Sequence, residues 1–193
     1  MADRYASFIE LSQHEREGID YAIEIAARSA RFAVIAPHGG FTEPHTTMIA
    51  RAIAGTDLSF YSFTGLREGR RHEDLHITSH RFDEPRCLAL LEKVESVIAI
   101  HGKRDIDDAL LVYLGGLDTA LRDRLGDALP AAGFAARFDA QRFPGVEPMN
   151  ICNRGQNRRG VQLELPRSLR GRLASDQERL KQFSVAVRAA LRG

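Results

Sequence analysis

Short apolar runs that end in glycine-containing turns limit the folds that this chain can adopt. The run RFAVIA at residues 31–36 stops at Pro37-His38-Gly39-Gly40, where two glycines permit a tight loop. The run SVIAI at residues 96–100 stops in the same way at His101-Gly102. Because helical patterns separate these strands, the sequence predicts an α/β fold.

The other elements are predicted from periodicity. Residues 21–25 alternate as in a half-buried strand, although a helix also fits this stretch. Leucines at every fourth position predict a helix over residues 118–131, which Gly133 ends. Ser175 and Glu178 form a capping box for a last helix. Further strands are predicted at residues 75–78, 110–114, 134–138 and 161–165, and further helices at residues 46–54 and 86–94.

The chain shows neither a linker nor an internal repeat, so we expect one domain over residues 1–193. A domain of this size buries a core without help from disulfides or a structural metal, so that any metal here serves chemistry. The stretch at residues 141–160 is irregular and contains several prolines and glycines. Loops of this length inside a domain are often functional.

Charge and hydropathy exclude several classes of protein. The chain has 27 basic and 26 acidic residues, which argues against binding of nucleic acid by neutralisation of many phosphates. Its apolar runs are far shorter than the ~20 residues that span a membrane. Residues 1–4 lack a signal core, and Cys87 and Cys152 form no CxxC pair. We expect a cytoplasmic monomer, which cell lysis could release, with no nucleic-acid or membrane partner.

Two histidines at strand ends indicate a metal site. His38 and His101 each follow an apolar strand, and ligands of open α/β sheets bind beyond the carboxyl ends of strands. Glu43 lies five residues after His38. Two histidines and a glutamate with one open position are a recurrent ligand set of catalytic zinc. Each histidine could instead be an ordinary hydrogen-bonded loop residue, and Glu43 could cap the helix that begins near Pro44.

Glu164 is a candidate general base. In VQLEL, residues 161–165, the alternation puts Glu164 and Gln162 on the face opposite to three apolar residues. A carboxylate on so apolar a strand is costly unless it is paired or used, and a partly desolvated glutamate near a cation can take a proton from water. The alternative is an edge strand that exposes Glu164 to solvent.

Arginines cluster around this strand and point to a substrate that carries carboxylates. Their guanidinium groups match carboxylates in a bidentate manner, although such a run is usually a solvated face. They are Arg154, Arg158, Arg159, Arg167, Arg170 and Arg172. His80, after the predicted strand at residues 75–78, is a candidate substrate contact or proton donor. His45 is interpreted as a helix-start residue, and no constellation includes His14, His72 or His76.

Six segments resemble the poly-gamma-glutamate hydrolase family, in the same order and over nearly the whole chain. They are APHGGFTEP at residues 36–44, LHITS at 75–79, IHG at 100–102, LGGLD at 114–118, NICNR at 150–154 and GVQLELPRSLR at 160–170. Members of this family are often labelled phage-related replication proteins. We find neither a nucleotide motif nor a basic groove that would fit this label.

The resemblance implies a zinc-dependent hydrolase with a carboxypeptidase-like, three-layer α/β/α fold around a central mixed sheet. By resemblance, the zinc ligands are His38, Glu43 and His101, and the catalytic glutamate is Glu164. The pair Asn153-Arg154 is similar to the pair with which zinc carboxypeptidases hold a substrate carboxylate. Ordinary zinc carboxypeptidases have a shorter spacing between the first His and the Glu, so the loop here must fold differently.

Substitutions in this loop bear on the pocket. Phe41 and Thr42 replace a smaller pair that the family pattern favours, and His45 stands where a glycine is expected. These departures concern the shape of the pocket more than the metal.

The predicted activity is zinc-dependent hydrolysis of amide bonds in poly-gamma-glutamate or a related gamma-linked, acidic polypeptide. Arginines drawn from Arg154, Arg167 and Arg170 would offset the carboxylates of this substrate. Two alternatives stay open at this point. One is a non-catalytic, phage-related binding module, and the other is an amidase for another acylated amino acid.

Overall fold

The computed structural model describes residues 3–106 and 108–192. In this part of the chain the strands form one mixed sheet, in the order β1-β3-β2-β4-β7-β5-β6. The strands are β1 (Tyr21–Ala26), β2 (Phe32–Gly40), β3 (Ser59–Gly65), β4 (Ser96–Lys103), β5 (Val112–Gly115), β6 (Ala136–Phe138) and β7 (Val161–Pro166). Neighbours from β3 to β7 are parallel, while β1 and β5 run antiparallel to β3 and β7.

Helices cover both faces of this sheet, which confirms the predicted three-layer α/β/α fold. They are α1 (Phe8–His14), α2 (Thr46–Ala54), α3 (Pro85–Leu91), α4 (Thr119–Ala131), α5 (Arg167–Ser175) and α6 (Gln177–Ala190). Residues of α2, α4, α5 and α6 pack on the face that carries Val34, Ile98 and Leu163, which we call the four-helix face. Residues of α1 and α3 pack on the opposite face, which carries Ile35 and Ala99 and which we call the site face. None of the helices in the described residues is long and apolar enough to span a bilayer.

The predicted strand at residues 75–78 is wrong. This segment follows a 3-10 turn at His72–Asp74 and forms a loop on the site face. Leu75 and Ile77 pack in the core there, and the backbone N–H of Thr78 donates to the carboxylate of Asp3 instead of to a strand. The alternating pattern therefore comes from a loop with two buried side chains.

The strand that sequence analysis missed is β3, with the sequence SFYSFTG. Its hydroxyl residues interrupt the apolar pattern, but their polar groups are satisfied inside the fold. Ser59 Oγ donates to the carbonyl of Arg28, and Ser62 Oγ lies 2.8 Å from Thr47 Oγ1 of α2. The last helix also begins later than predicted, because the side chain of Asp176 is its N-cap.

A β-bulge in β2 decides which face His38 occupies. Ala36 pairs with Ser62 of β3, but the next paired residue, Gly39, lies opposite Thr64, so β2 has one extra residue between these pairs. Side chains alternate between faces, and without the bulge His38 would share the four-helix face with Ala36. The extra residue turns His38 to the site face.

Candidate active site

His38 is held in one tautomer by a loop on the site face. Its Nε2 lies 2.8 Å from the carbonyl oxygen of Ile77, which only accepts, so Nε2 carries the proton in the neutral ring. Its Nδ1 is buried and has no hydrogen-bond partner in the described structure. This atom lies 3.4 Å from Glu43 Oε1. In the neutral ring both atoms are acceptors, so the space beside them fits a cation.

The carboxylate of Glu43 lies within 4 Å of a nitrogen atom of each of three histidines. Its Oε2 accepts a 2.8 Å hydrogen bond from the backbone N–H of Gly102, at the end of β4. Burial raises the pKa of this carboxyl, but the surrounding imidazoles lower it by more, so the pKa of Glu43 lies well below its usual range. These imidazoles belong to His38, His72 and His101. The carboxylate is therefore ionised at neutral pH.

His101, on β4, completes the predicted ligand set. Its Nδ1 lies 3.8 Å from Glu43 Oε2, and the centre of its ring is 5.1 Å from that of His38. Burial, together with the nearby His38, lowers the pKa of His101 to about 4 although Glu43 opposes the shift. A neutral imidazole is the form that binds metals. The structure thus brings all three predicted ligands together at the carboxyl ends of β2 and β4.

His76 and His72 also belong to this cluster, and sequence analysis missed both. Ligand atoms of His38, Glu43 and His76 all lie within 4.8 Å of one another, while His72 Nε2 is 3.6 Å from Glu43 Oε1. His76 Nδ1 lies 2.6 Å from Asp3 Oδ1, and burial lowers the pKa of this histidine to about 3. The signal that could have found His76 was its place in the LHITS segment.

Glu164 lies beside His101 on the neighbouring strand, because the two residues are register partners of β4 and β7. β7 lies between β4 and β5, and Glu164 is only 9% exposed, so the alternative of a solvent-facing edge strand is wrong. Burial and the nearby Glu43 raise the pKa of Glu164 to about 8, against the lowering effect of Lys103 and Arg170. Such a carboxyl can take up and release a proton near neutral pH.

A basic cavity of about 430 Å³ opens beside Glu43. Phe41 and His72 lie on its wall, and four cationic side chains line it. These are Lys103, Arg104, Arg167 and Arg170. Positive charge is thus concentrated at the site, although the chain as a whole has a formal net charge of only +1.

Residues 5–186 match the poly-gamma-glutamate hydrolase family. The chain belongs to this family. The finding confirms the resemblance, whereas the label of a phage-related replication protein has no support.

Several relatives come from Bacillus subtilis (strain 168). The prophage SPbeta-derived protein YoqZ is 37% identical over 166 residues, which cover 85% of this chain but only 59% of YoqZ. YndL is 33% identical over 194 residues, which cover 94% of this chain and 75% of YndL. This chain therefore spans about three fifths to three quarters of the length of these relatives.

Two solved structures share nearly the whole fold. A bacteriophage poly-gamma-glutamate hydrolase superposes with a TM-score of 0.92 at 29% identity, over 98% of this chain and 96% of the other. The zinc-free form of YndL superposes with a TM-score of 0.90 at 31% identity, over 99% of this chain and 98% of the other. An N-formylglutamate amidohydrolase from Ralstonia eutropha JMP134, at 12% identity and a TM-score of 0.57, shares the fold alone.

Within this family member, the two predicted arginines of α5 differ in environment. Arg167 is exposed at the cavity. Arg170 is buried, and its guanidinium donates to the backbone carbonyls of Pro44, Lys103 and Leu165. Arg170 therefore ties the loop that carries Glu43 to the ends of two strands.

The other predicted substrate contacts are not bonded directly to the histidine cluster in the described residues. Asn153 is buried, its Oδ1 accepts from two backbone N–H groups, and its Nδ2 donates to the carbonyls of Gly145 and Glu147. Arg154 lines a separate cavity with Glu92, and His80 is exposed. Among the described residues, none of the three has a hydrogen bond or ion pair with the predicted zinc ligands. Their contact with substrate stays a prediction.

His45 begins α2, as predicted, and the structure explains why a glycine is expected there. Its φ is +74°, in the left-handed region, and its side chain makes no capping hydrogen bond. The turn places Glu43 just before the helix, and Thr46 Oγ1 holds that loop by donating to the carbonyl of Glu43.

Proposed function

We propose that this chain is a zinc-dependent hydrolase of gamma-glutamyl amide bonds, with His38, Glu43 and His101 as the metal ligands. The observation that carries the proposal is the buried, unpartnered Nδ1 of His38, which lies 3.4 Å from an oxygen of the ionised Glu43. When His38 is neutral, these two atoms are both acceptors and repel each other unless a cation lies beside them. The zinc-free structure of the relative YndL gives independent support for zinc.

The donor set suits zinc chemistry. Imidazole nitrogens and one carboxylate are ligands of catalytic zinc sites, which keep one position open. When bound, zinc acts as a Lewis acid that acidifies water and polarises an amide carbonyl. The carbonyl of Ile77 contributes by holding the proton of neutral His38 on Nε2, so that Nδ1, which faces Glu43, is unprotonated.

Glu164 is proposed as the general base. It takes a proton from the attacking water and delivers it to the nitrogen of the leaving amine, so that a carboxylate and an amine are released. Its position beside His101 and its pKa of about 8 support this role, since a nearby cation would lower that pKa towards neutral pH and leave the carboxylate free to accept a proton.

The substrate class is proposed from the basic cavity and from the family. A gamma-linked glutamate chain carries one free carboxylate on each residue, which suits a cavity with four cationic side chains. Arg167 is proposed to contact the carboxylates of the substrate directly. Arg170 acts by holding the Glu43 loop, while His80, Asn153 and Arg154 stay predicted substrate contacts.

The test uses two variants and measures metal and turnover separately. We expect protein purified without chelator to contain one zinc per chain and to shorten poly-gamma-glutamate on a gel. Glu164→Gln should keep zinc and lose activity by a factor of about 10² to 10⁴, because it lacks the base. His38→Ala should lose zinc and activity, while His14→Ala, which alters an exposed histidine of α1, should change neither.

Two outcomes would contradict the proposal. Absence of stoichiometric metal would exclude the metal centre, and full activity of Glu164→Gln would exclude its role as base. Cleavage of acylated amino acids without cleavage of the polymer would favour the alternative amidase. Binding without turnover that weakens steeply with salt would favour the alternative binding module.

A further inference from the structure

The cationic groups of the cavity beside Glu43 are not equivalent. Arg170 is only 4% exposed, and its guanidinium is held by backbone carbonyls. Lys103 is also buried, with its Nζ 5.0 Å from the centre of the Tyr113 ring. Arg104 and Arg167, in contrast, are exposed at the cavity. The two buried cations belong to the wall, and the two exposed arginines are free to contact a ligand.

A nearby carboxylate is kept away from these two arginines. Asp105 follows Arg104 in the sequence, but its Oδ2 accepts a 2.7 Å hydrogen bond from Ser168 Oγ and its Oδ1 accepts from the backbone N–H of Ser168. These bonds, rather than an arginine, hold its carboxylate at the first turn of α5. Within residues 3–106 and 108–192, no ion pair joins Arg104 or Arg167 to a carboxylate.

Two exposed guanidinium groups without an ion pair in the described residues therefore line the same cavity as Glu43. Some exposed arginines elsewhere in the molecule have acidic partners: Arg31 pairs with Glu95 at 3.0 Å, and Arg86 pairs with Glu17 at 2.8 Å. The 26 acidic residues would allow the same at the cavity. A carboxylate supplied by a ligand would fill this role, because planar guanidinium groups bind carboxylates in a bidentate manner.

We propose that Arg104 and Arg167 form a subsite that binds the free carboxylates of the substrate chain next to the scissile bond. The inference rests on the proposed function and deepens it, since it assigns recognition of an anionic chain to two particular residues. Arg104 follows β4 directly after Lys103, and Arg167 opens α5 directly after β7. Each therefore stands next to a strand that carries His101 or Glu164, which sets the subsite beside the reacting groups.

The test measures binding in a background without turnover. In the Glu164→Gln protein loaded with zinc, calorimetry would follow a gamma-linked glutamate oligomer with free carboxylates and the same oligomer with these groups amidated. Arg104→Ala with Arg167→Ala should weaken binding of the free-carboxylate oligomer by about tenfold or more, as expected for charge-assisted hydrogen bonds. Binding of the amidated oligomer should be weak and unchanged. In the active protein, the same pair of substitutions should raise KM and leave kcat within about twofold.

Controls separate charge, fork geometry and location. Arg31→Ala removes an exposed arginine at the start of β2, at the far end of that strand from His38, and should leave affinity unchanged. Arg104→Lys with Arg167→Lys keeps the charge but removes the planar fork, and should recover only part of the affinity.

The outcomes of this experiment distinguish the subsite from the hydrolase activity. Equal affinity of the alanine variant and its parent, or equal loss for the amidated oligomer, would overturn the subsite even if the polymer is cleaved. Arginine-dependent binding in a protein that cleaves nothing would preserve the subsite and reject the proposed reaction.

Discussion

On β7, neighbouring residues enter two different environments. Leu163 is fully buried among apolar side chains of the four-helix face, whereas Glu164 is 9% exposed on the site face. The same contrast holds on β4, where Ile100 packs on the four-helix face and His101 on the site face. Burial alone therefore does not separate the two faces. They differ in what the buried groups require of their surroundings.

The four-helix face is satisfied by packing, while the site face depends on particular partners. Apolar side chains gain free energy from burial wherever they fit. Buried ionisable groups lose hydration and need hydrogen bonds or charges to compensate. The carboxylate of Glu43 has the N–H of Gly102 and several imidazoles. Among the described residues, the carboxylate of Glu164 has one hydrogen bond, a long contact of 3.5 Å with Gln162, and Lys103 and Arg170 offset its burial only in part. Of these two carboxylates, that of Glu164 is therefore less well compensated for its loss of hydration.

The largest predicted effect is a pH dependence of folding stability, which Glu164 should cause and Leu163 should not. A folded-state pKa of about 8, against the ordinary 4.5, means that the folded protein holds a proton that the unfolded chain releases. The stability of the metal-free protein should therefore fall as pH rises from about 4.5 to 8. Glu164→Gln should remove this slope and stabilise the protein at pH 8 by an amount on the order of 3 to 5 kcal/mol.

Leu163→Ala is the matched control for this prediction. It creates a cavity on the other face of the same strand and should destabilise the protein by about 2 to 5 kcal/mol at every pH. Urea unfolding across the pH range measures both variants. A parallel pH profile for Glu164→Gln and the parent protein would show that Glu164 is solvated like an ordinary carboxyl and would remove the distinction between the faces.

The four-helix face and its strands could largely be predicted from the sequence. Apolar periodicity depends on local spacing, so α2 has the predicted bounds, and β2, β4 and β7 lie where the apolar runs are. β3 was missed because its buried hydroxyls bond to α2 and to residues distant in sequence, such as Arg28. Patterns of single residues do not reveal such partners.

The site face could be predicted only where it lies at strand ends. His38 and His101 lie near the carboxyl ends of β2 and β4, just after the apolar runs of these strands, and Glu43 follows β2, so their convergence could be expected from α/β topology. The bulge that turns His38 to the correct face leaves no such signal. His76 comes from an irregular loop that depends on Asp3, a residue 73 positions away. Contacts of this range follow from the assembled fold rather than from a local pattern.

Asp3 organises the loop at residues 76–78. Its carboxylate accepts from the backbone N–H of Thr78 at 2.7 Å and lies 2.6 Å from Nδ1 of His76. Between these residues is Ile77, whose carbonyl fixes the tautomer of His38. Asp3→Asn should therefore weaken zinc binding by about 10- to 100-fold, as outer-shell changes at metal sites do. Competition with a chromophoric chelator, far below the unfolding temperature, measures this.

Asp57→Asn provides the comparison for Asp3→Asn. Asp57 pairs with Arg188 of α6, and its side chain is 60% exposed. It lies just before β3, at the end of the parallel strands opposite to the histidines. Zinc affinity should not change in this variant. If Asp3→Asn binds zinc as tightly as Asp57→Asn does, the loop at residues 76–78 holds its shape without Asp3.

The smallest predicted effect lies at His45, where the loop that carries Glu43 joins α2. A left-handed φ of +74° is unfavourable for a residue with a Cβ, and the side chain makes no capping bond that would compensate. Burial and the nearby Arg170 and Arg167 lower the pKa of His45, so at neutral pH its loss removes no favourable charge. His45→Gly should therefore stabilise the fold by about 0.5 to 1 kcal/mol in thermal unfolding. His45→Ala keeps the Cβ and should gain nothing. If both variants gain equally, the side chain rather than the backbone is the source of the strain.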